Sequence, residues 1–296
     1  MRIDPKETPT GQLHGLMLGT IAPRPIAFAS TVDKEGNVNL SPYSFFNVFS
    51  SNPPILIFSP ARRVRDNTTK HTLENALETK EVVINIVSFP IVEQMSLSST
   101  EYDKGVNEFI KAGLTQVDSE KVKPPRVGEA IAAYECIVKE VVALGDQGGA
   151  GNLVICEVLM IHIKDEILDE NGIPDPFKAD LVSRMGGDWY CRANGEAIFE
   201  LPKPNRNIGV GYDQIPEQIR NSVVLTGNNL GRLGNFEQIP DSDAVRIFRD
   251  SPEIQEIFTR FKNDSESLDY HLHTLAQKFL KENNLEAAWL SLLSNI

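Results

Sequence analysis

The chain is poor in cysteine and in basic residues, and it has no long apolar runs. Only Cys136, Cys156 and Cys191 occur in 296 residues, and no two form a Cys-x-x-Cys pair. This excludes a disulfide framework and a cysteine zinc site, and it fits reduced thiols in a cytoplasmic protein. Against 41 acidic residues stand 29 basic ones, a formal net charge of −12. Nucleic acids select a basic face and anionic membranes a basic patch, so neither partner is predicted. Asn85 interrupts the apolar stretch 82–87, and Glu157 and His162 interrupt 153–163. Neither stretch approaches the roughly 20 residues that span a bilayer. The opening MRIDPKETP lacks the apolar core of a signal peptide. A soluble, cytoplasmic protein is the expectation.

Common catalytic templates are absent too. There is no HExxH, no GxSxG elbow and no Walker A pattern. His271 and His273 stand two apart on an expected helix, so they face different sides and cannot chelate together. Solvated or capping roles are expected for them, and no metal site is predicted. The cluster Gly145-Asp146-Gln147-Gly148-Gly149-Ala150-Gly151 needs a glycine at Val154 and a following helix to become a dinucleotide fingerprint. A strand-like run follows instead, so a flexible hairpin loop is the reading.

What is present is a series of β-branched segments separated by turns. Residues 26–32 alternate and then meet Asp33-Lys34-Glu35-Gly36-Asn37, a hairpin loop in which Gly36 can take a positive φ. Strands are expected to follow at 38–40, 55–59, 81–87, 134–144 and 153–163. The pattern predicts a mainly β fold, a closed barrel or sandwich, with helices at 72–78, 91–98 and 109–112. After Gly234 no glycine occurs. Ser251-Pro252-Glu253 reads as a helix start. Ile254, Ile257, Phe258 and Phe261 form a helical stripe. Leu268, Leu272, Leu275, Ala276 and Phe279 repeat it, as do Leu285, Ala288, Trp289, Leu292 and Leu293. We therefore expect a β domain at 1–205 and a helical extension at 206–296, packed on the β domain or on a partner. The extension holds 9 basic and 13 acidic residues, so charge does not set it apart.

Hydroxyls, amides and cations gather in the first third. Thr31, Ser44, Asn47, Ser59 and Arg62-Arg63 precede Thr68-Thr69-Lys70-His71-Thr72, which leads into the expected helix. A phosphate monoester is held by backbone N–H groups at a helix N-terminus, by hydroxyls and by cations. Lys70, His71 and Thr72 offer that set. An ordinary capped surface helix carrying a lysine has the same spacing. Phe45, Phe46 and Phe49 can line an apolar slot for a flat ring or serve as core.

Several of these strings, taken in order, carry a resemblance. They are Pro23-Arg24-Pro25-Ile26-Ala27-Phe28-Ala29-Ser30-Thr31-Val32-Asp33, Asn39-Leu40-Ser41-Pro42-Tyr43-Ser44-Phe45-Phe46-Asn47 with Asn52-Pro53-Pro54, and Lys70-His71-Thr72 with Asn75. Glu81-Val82-Val83-Ile84-Asn85, Gly145-Asp146, Glu157-Val158 and Arg184-Met185-Gly186-Gly187 with Tyr190 continue the series. Together they resemble the flavin reductase-like, FMN-binding split-barrel family over about residues 8–200.

The resemblance implies a six-stranded Greek-key split barrel with peripheral helices. It also implies a homodimer with FMN at the interface, and electron transfer from NADH or NADPH to flavin, or from flavin to a protein or metal acceptor. Residue by residue, Lys70 and Thr72 would hold the FMN phosphate with His71 between them and Ser59 beside them. Thr31, Ser44, Phe45 and Asn47 would surround the ring and ribityl chain. No catalytic acid or base is implied.

Three features depart from the family pattern: Gln147 stands where many members have histidine, Cys156 stands where glycine is usual, and the helical extension has no counterpart. Two functional classes follow, an FMN-dependent oxidoreductase and a non-catalytic FMN-binding or electron-transfer module whose tail docks a partner.

Overall fold

The structure, a computed structural model, describes residues 1–201, 203–204 and 208–296. The chain forms two compact units, Met1–Phe199 and Glu200–Ile296. The expected boundary between 205 and 206 lies outside the described residues.

The first unit is built on one antiparallel sheet. Its strands are β1 (Ala27–Val32), β2 (Val38–Tyr43), β3 (Phe46–Ser51), β4 (Pro54–Phe58), β5 (Glu81–Ile86), β6 (Ala132–Ala143) and β7 (Asn152–Ile163). Their order is β2-β1-β5-β6-β7-β4-β3. Only Ser44 and Phe45 separate β2 from β3, yet these strands lie at opposite edges. A connection that short reaches about 11 Å, so the sheet must curl until its edges meet. The result is a barrel split at Ser44 and Phe45. The expected six strands become seven because β2 and β3 are two halves of one sharply bent strand.

Alternation along β1 shows why both faces of the sheet are dry. Ala27 and Ala29 point into the barrel with Cys136, Val138, Val154 and Cys156, where small side chains fit the narrow interior. Phe28, with Ile26 just before the strand, points the other way, against Ile91, Met95 and Phe109. These come from the segment holding α3 (Val92–Leu97) and α4 (Glu108–Ala112). Every residue of β1 is consequently buried. Cys156 is core, and burial pushes its thiol up to about 12, leaving it unreactive.

Two further helices frame the site. Helix α2 (His71–Thr79) falls where expected. Helix α1 (Thr10–Thr20) does not follow from the sequence pattern: three glycines lie within it, no side chain caps it, and none of its residues is buried.

In the second unit, α5 (Gly227–Gly234), α6 (Ser242–Arg249), α7 (Pro252–Arg260), α8 (Ser265–Lys281) and α9 (Leu285–Leu293) bury their stripes against one another. Leu230 and Leu233 meet Ala276, Leu280, Trp289 and Leu292 in one cluster. Ile254 meets Leu268, Leu272 and Leu275 in another. The stripes thus find partners within their own unit. Ser251 sits at the N-cap of α7, but its side chain makes no cap bond.

One expectation is corrected here. His273 is not solvated: it is 7% exposed, and its Nδ1 lies 2.7 Å from Ser222 Oγ. The turn holding Ser222 packs over that face of α8, which the spacing of α8 alone does not reveal. No helix among the described residues is long and apolar enough to cross a membrane.

Candidate functional site

The split in the barrel opens into a cleft of about 560 Å³. Six cations line it, Arg24, Arg62, Arg63, Arg65, Lys70 and Arg184, with a single carboxylate, Glu101. In a chain of net charge −12 this is a local inversion of sign, of the kind that concentrates anionic ligands.

Glu101 gathers three of the cations. Its Oε1 lies 2.8 Å from Arg63 Nε and 3.7 Å from Lys70 Nζ, and its Oε2 lies 2.6 Å from Arg65 Nη2. The hydrogen bonds from Arg63 and then Arg65 hold the Glu101 carboxyl down to about 2. Burial, and next the neighbouring Arg63, lower the Lys70 ammonium. Asp66 Oδ2 also lies 2.9 Å from Arg65 Nε, so the three cations meet two carboxylates and keep a surplus of one positive charge, which favours an anionic ligand.

Local folding sets these groups in place. Lys70 is the extended N-cap residue of α2, so it stands beside backbone N–H groups that have no intrahelical partner. Arg62 closes its own loop by donating to Asn67 Oδ1 (2.6 Å) and Asn67 O (2.8 Å). Arg63 donates to Thr68 Oγ1 at 2.9 Å and also to Thr69 O.

The glycine-rich loop between β6 and β7 is fastened to this segment. Arg62 N donates to Ala150 O (2.8 Å) and Gly149 N to Arg62 O (2.9 Å). A Cβ at Gly151 would stand 2.7 Å from Ser59 Oγ, and one at Gly148 would stand 3.0 Å from the carbonyls of Arg63 and Val64. The loop expected to be flexible is a close-packed wall, and glycine permits the approach.

On the opposite side, the Arg24 guanidinium ties α1 to the chain near 185. Its Nη1 donates to Leu18 O (2.8 Å) and Ile21 O (2.5 Å), and its Nη2 to Met185 O (2.8 Å). Burial, then Arg184, lower its pKa. Arg24 Nε, like the Tyr43 hydroxyl, is buried without a hydrogen-bond partner.

Of the eight residues singled out from the sequence, Ser44, Phe45, Ser59 and Lys70 line the cleft. Lys70, His71 and Thr72 line a smaller recess of about 20 Å³, shared with Tyr43, Arg63 and Glu101. Thr31 and Asn47 line neither space. Thr31 is fully buried, and its Oγ1 accepts from Asn75 Nδ2 at 3.1 Å. Thr72 Oγ1 accepts from Asn39 Nδ2 at 2.8 Å. Both threonines therefore brace α2 against the hairpin β1–β2. Asn47 is exposed, and its Oδ1 accepts from Val48 N at 2.8 Å. Among the phenylalanines, Phe45 lines the cleft, Phe46 packs on the barrel core and Phe49 is exposed.

Sequence reasoning missed His14, Leu18, Glu101 and Arg184 as site residues. They arrive from distant segments, and no local spacing marks them. His14 stands edge-on to Phe45, with ring centroids 6.3 Å apart.

The class of fold is a split antiparallel barrel with a cation-lined cleft at the split. Comparison with known proteins gives its family. The chain belongs to the flavin reductase like domain family, which matches residues 18–177. It is 42% identical over 196 residues to an uncharacterized protein of Aquifex aeolicus, covering 66% of this chain and 97% of that one. Among solved structures it resembles nitrilotriacetate monooxygenase component B from Bacillus cereus, with a TM-score of 0.63 and 32% identity over 68% of this chain and 98% of the other. It also resembles 2-nitrobenzoate 2-nitroreductase NbaA of Pseudomonas fluorescens, with a TM-score of 0.58 and 26% identity over 68% and 96% of the two chains.

Proposed function

We propose that the chain binds FMN in the cleft at the barrel split and works as a flavin-dependent oxidoreductase, with NADH or NADPH as electron donor. The observation that carries this reading is the set of six cations around one carboxylate beside the N-terminus of α2. A phosphoryl group finds there Lys70, Arg63 and free backbone N–H groups. Leu18, Phe45 and Val64 offer apolar surface to a ring system. The buried Arg24 Nε and Tyr43 hydroxyl, donors without acceptors, fit a ligand rich in acceptors. FMN, once bound, supplies the hydride and electron transfer. The side chains bind and orient it, and none is assigned as an acid or base.

We extend the proposal to a homodimer. The free edge strand β3 exposes Val48 and Phe49, at 61% and 62%, next to Phe45 of the cleft. Exposed apolar edge strands are normally covered, and a second copy suits a symmetric dimer. Light scattering that finds a monomer still holding FMN overturns this part.

Lys70→Ala tests the site. A hydrogen bond to a charged group contributes roughly 1.5–3 kcal/mol, so FMN affinity should fall about tenfold or more while riboflavin affinity hardly changes. Equal losses for both flavins remove Lys70 from the phosphate. Steady oxidation of NADH or NADPH by the FMN-loaded protein supports the oxidoreductase. A single turnover supports a flavin carrier or electron-transfer module instead.

A further inference from the structure

The Tyr43 ring is ordinary core. It is 8% exposed and packs tilted against Phe58, with centroids 5.5 Å apart. Its hydroxyl is not ordinary, because it has no hydrogen-bond partner among the described residues. Burial raises its pKa, so it stays a neutral O–H donor. The Ser41 and Thr72 hydroxyls lie close enough to moderate that rise, but no bond from Tyr43 to either has hydrogen-bond geometry. A buried hydroxyl without an acceptor is costly, and phenylalanine would pack in the same place without that cost. The position of the hydroxyl suggests what it is for. Tyr43, Arg63, Lys70 and Glu101 are the four residues that line both the cleft and the small recess. The recess, at about 20 Å³, has room for one water or one phosphoryl oxygen. Of the polar groups on this shared wall, Arg63 and Lys70 are cations, Tyr43 is a free donor, and the one acceptor, Glu101, is taken by the cations.

We propose that the Tyr43 hydroxyl is a ligand-binding group, donating its hydrogen bond to the phosphoryl group of a phosphate monoester whose charge Arg63 and Lys70 balance. The inference rests on the flavin reading and assigns the phosphoryl end within it. Tyr43→Phe tests it, because the variant removes one oxygen and keeps the packing. Three quantities are read: FMN and riboflavin affinity by flavin fluorescence, the stabilisation given by inorganic phosphate, and the melting temperature of the ligand-free protein.

The expected result is about tenfold or greater loss of FMN affinity, unchanged riboflavin affinity, a smaller phosphate stabilisation, and a ligand-free melting temperature that stays level or rises. FMN affinity within twofold of wild type overturns the proposal and leaves the recess to water. Equal loss for both flavins, or a lower ligand-free melting temperature, overturns it in favour of a ring contact or a structural bond. If the wild type binds neither flavin, the flavin reading fails by itself. The phosphate arm then decides Tyr43: a shift that needs the hydroxyl keeps the anion role, and one that does not removes it.

Discussion

The two units hold their polar groups in different ways. In the helical unit the helix ends are capped by partners close in sequence, and a few long-range bonds such as His273 to Ser222 and Trp289 to Leu233 tie the helices together. Asp241, Asp264 and Asn284 each cap a helix by accepting from a backbone N–H three residues ahead, and Thr226 and Asn229 form a reciprocal box. In the barrel the partners come from far away. Asn152 donates to Pro60 O, Leu40 N to Glu108 Oε2, and Asn85 spans from Phe28 O to Val127 N. Local satisfaction suits rapid local folding, but it gathers no charge at one point. Long-range closure does gather charge. It brings Arg24, Lys70, Glu101 and Arg184 to one cleft and leaves donors there without acceptors. Stability in one unit and ligand chemistry in the other should therefore respond to different substitutions.

The largest expected effect tests that separation. Trp289 is fully buried, and its Nε1 donates to Leu233 O at 3.2 Å. Trp289→Ala should cost the helical unit about 3–5 kcal/mol, because it opens a cavity and strands a carbonyl. Denaturation followed by circular dichroism and by flavin fluorescence should show the helical transition moving early while FMN affinity holds. Loss of FMN binding in step with the helices would break the comparison.

How much could be read beforehand follows the same division. Stripes such as Leu268, Leu272 and Leu275 recur at helical spacing, so α7, α8 and α9 were legible while α5 and α6 were not, and β1, β5, β6 and β7 were legible from β-branched runs. The barrel's closure was not legible from spacing. It depends on β2 and β3 being one strand bent at Ser44 and Phe45, and nothing in their composition says which edges meet. Lys70 was singled out because a helix N-terminus is a local feature, and it lines the cleft. Glu101 was not found, because its role exists only once residues 63, 65 and 70 converge on it. Thr31 and Thr72 accept from Asn75 and Asn39; Thr72 keeps its own proton beside the recess it lines, whereas Thr31 lines neither space.

A second, smaller effect sharpens the barrel side. Glu101→Gln removes the negative charge shared by Arg63, Arg65 and Lys70 and keeps an acceptor for the guanidinium groups. Affinity for inorganic phosphate or FMN should rise about 1.5- to fivefold at low salt, the range of a partly exposed charge interaction of roughly 0.2–1 kcal/mol. High salt should erase the gain. A fall in affinity would show that the full carboxylate is needed to hold Arg63 and Lys70 in position.

The smallest effect separates the two units by acid. Ser222 Oγ accepts from the N–H groups of Val224 and Leu225, at 3.1 and 3.2 Å, so its own proton goes to His273 Nδ1 at 2.7 Å. That bond requires a neutral imidazole protonated on Nε2, an assignment made from the hydrogen-bond network. Burial lowers the His273 pKa below its ordinary 6.5. The folded unit therefore binds fewer protons than the unfolded chain, so its stability is full above about pH 6.5 and declines as pH falls through the folded value. Glu101 behaves alike but lower down. Its folded pKa is about 2 against an ordinary 4.5, so its contribution is present above about pH 4.5 and is lost as pH falls through about 2. Acidification should thus weaken the helical unit first and the cation cluster later. His273→Gln keeps an acceptor for Ser222 and cannot titrate, so it should flatten the upper limb alone, while Glu101→Gln flattens the lower one. Unfolding curves collected between pH 7 and pH 3 check this, and a single limb that either variant removes entirely would show that the two units do not respond separately to acid.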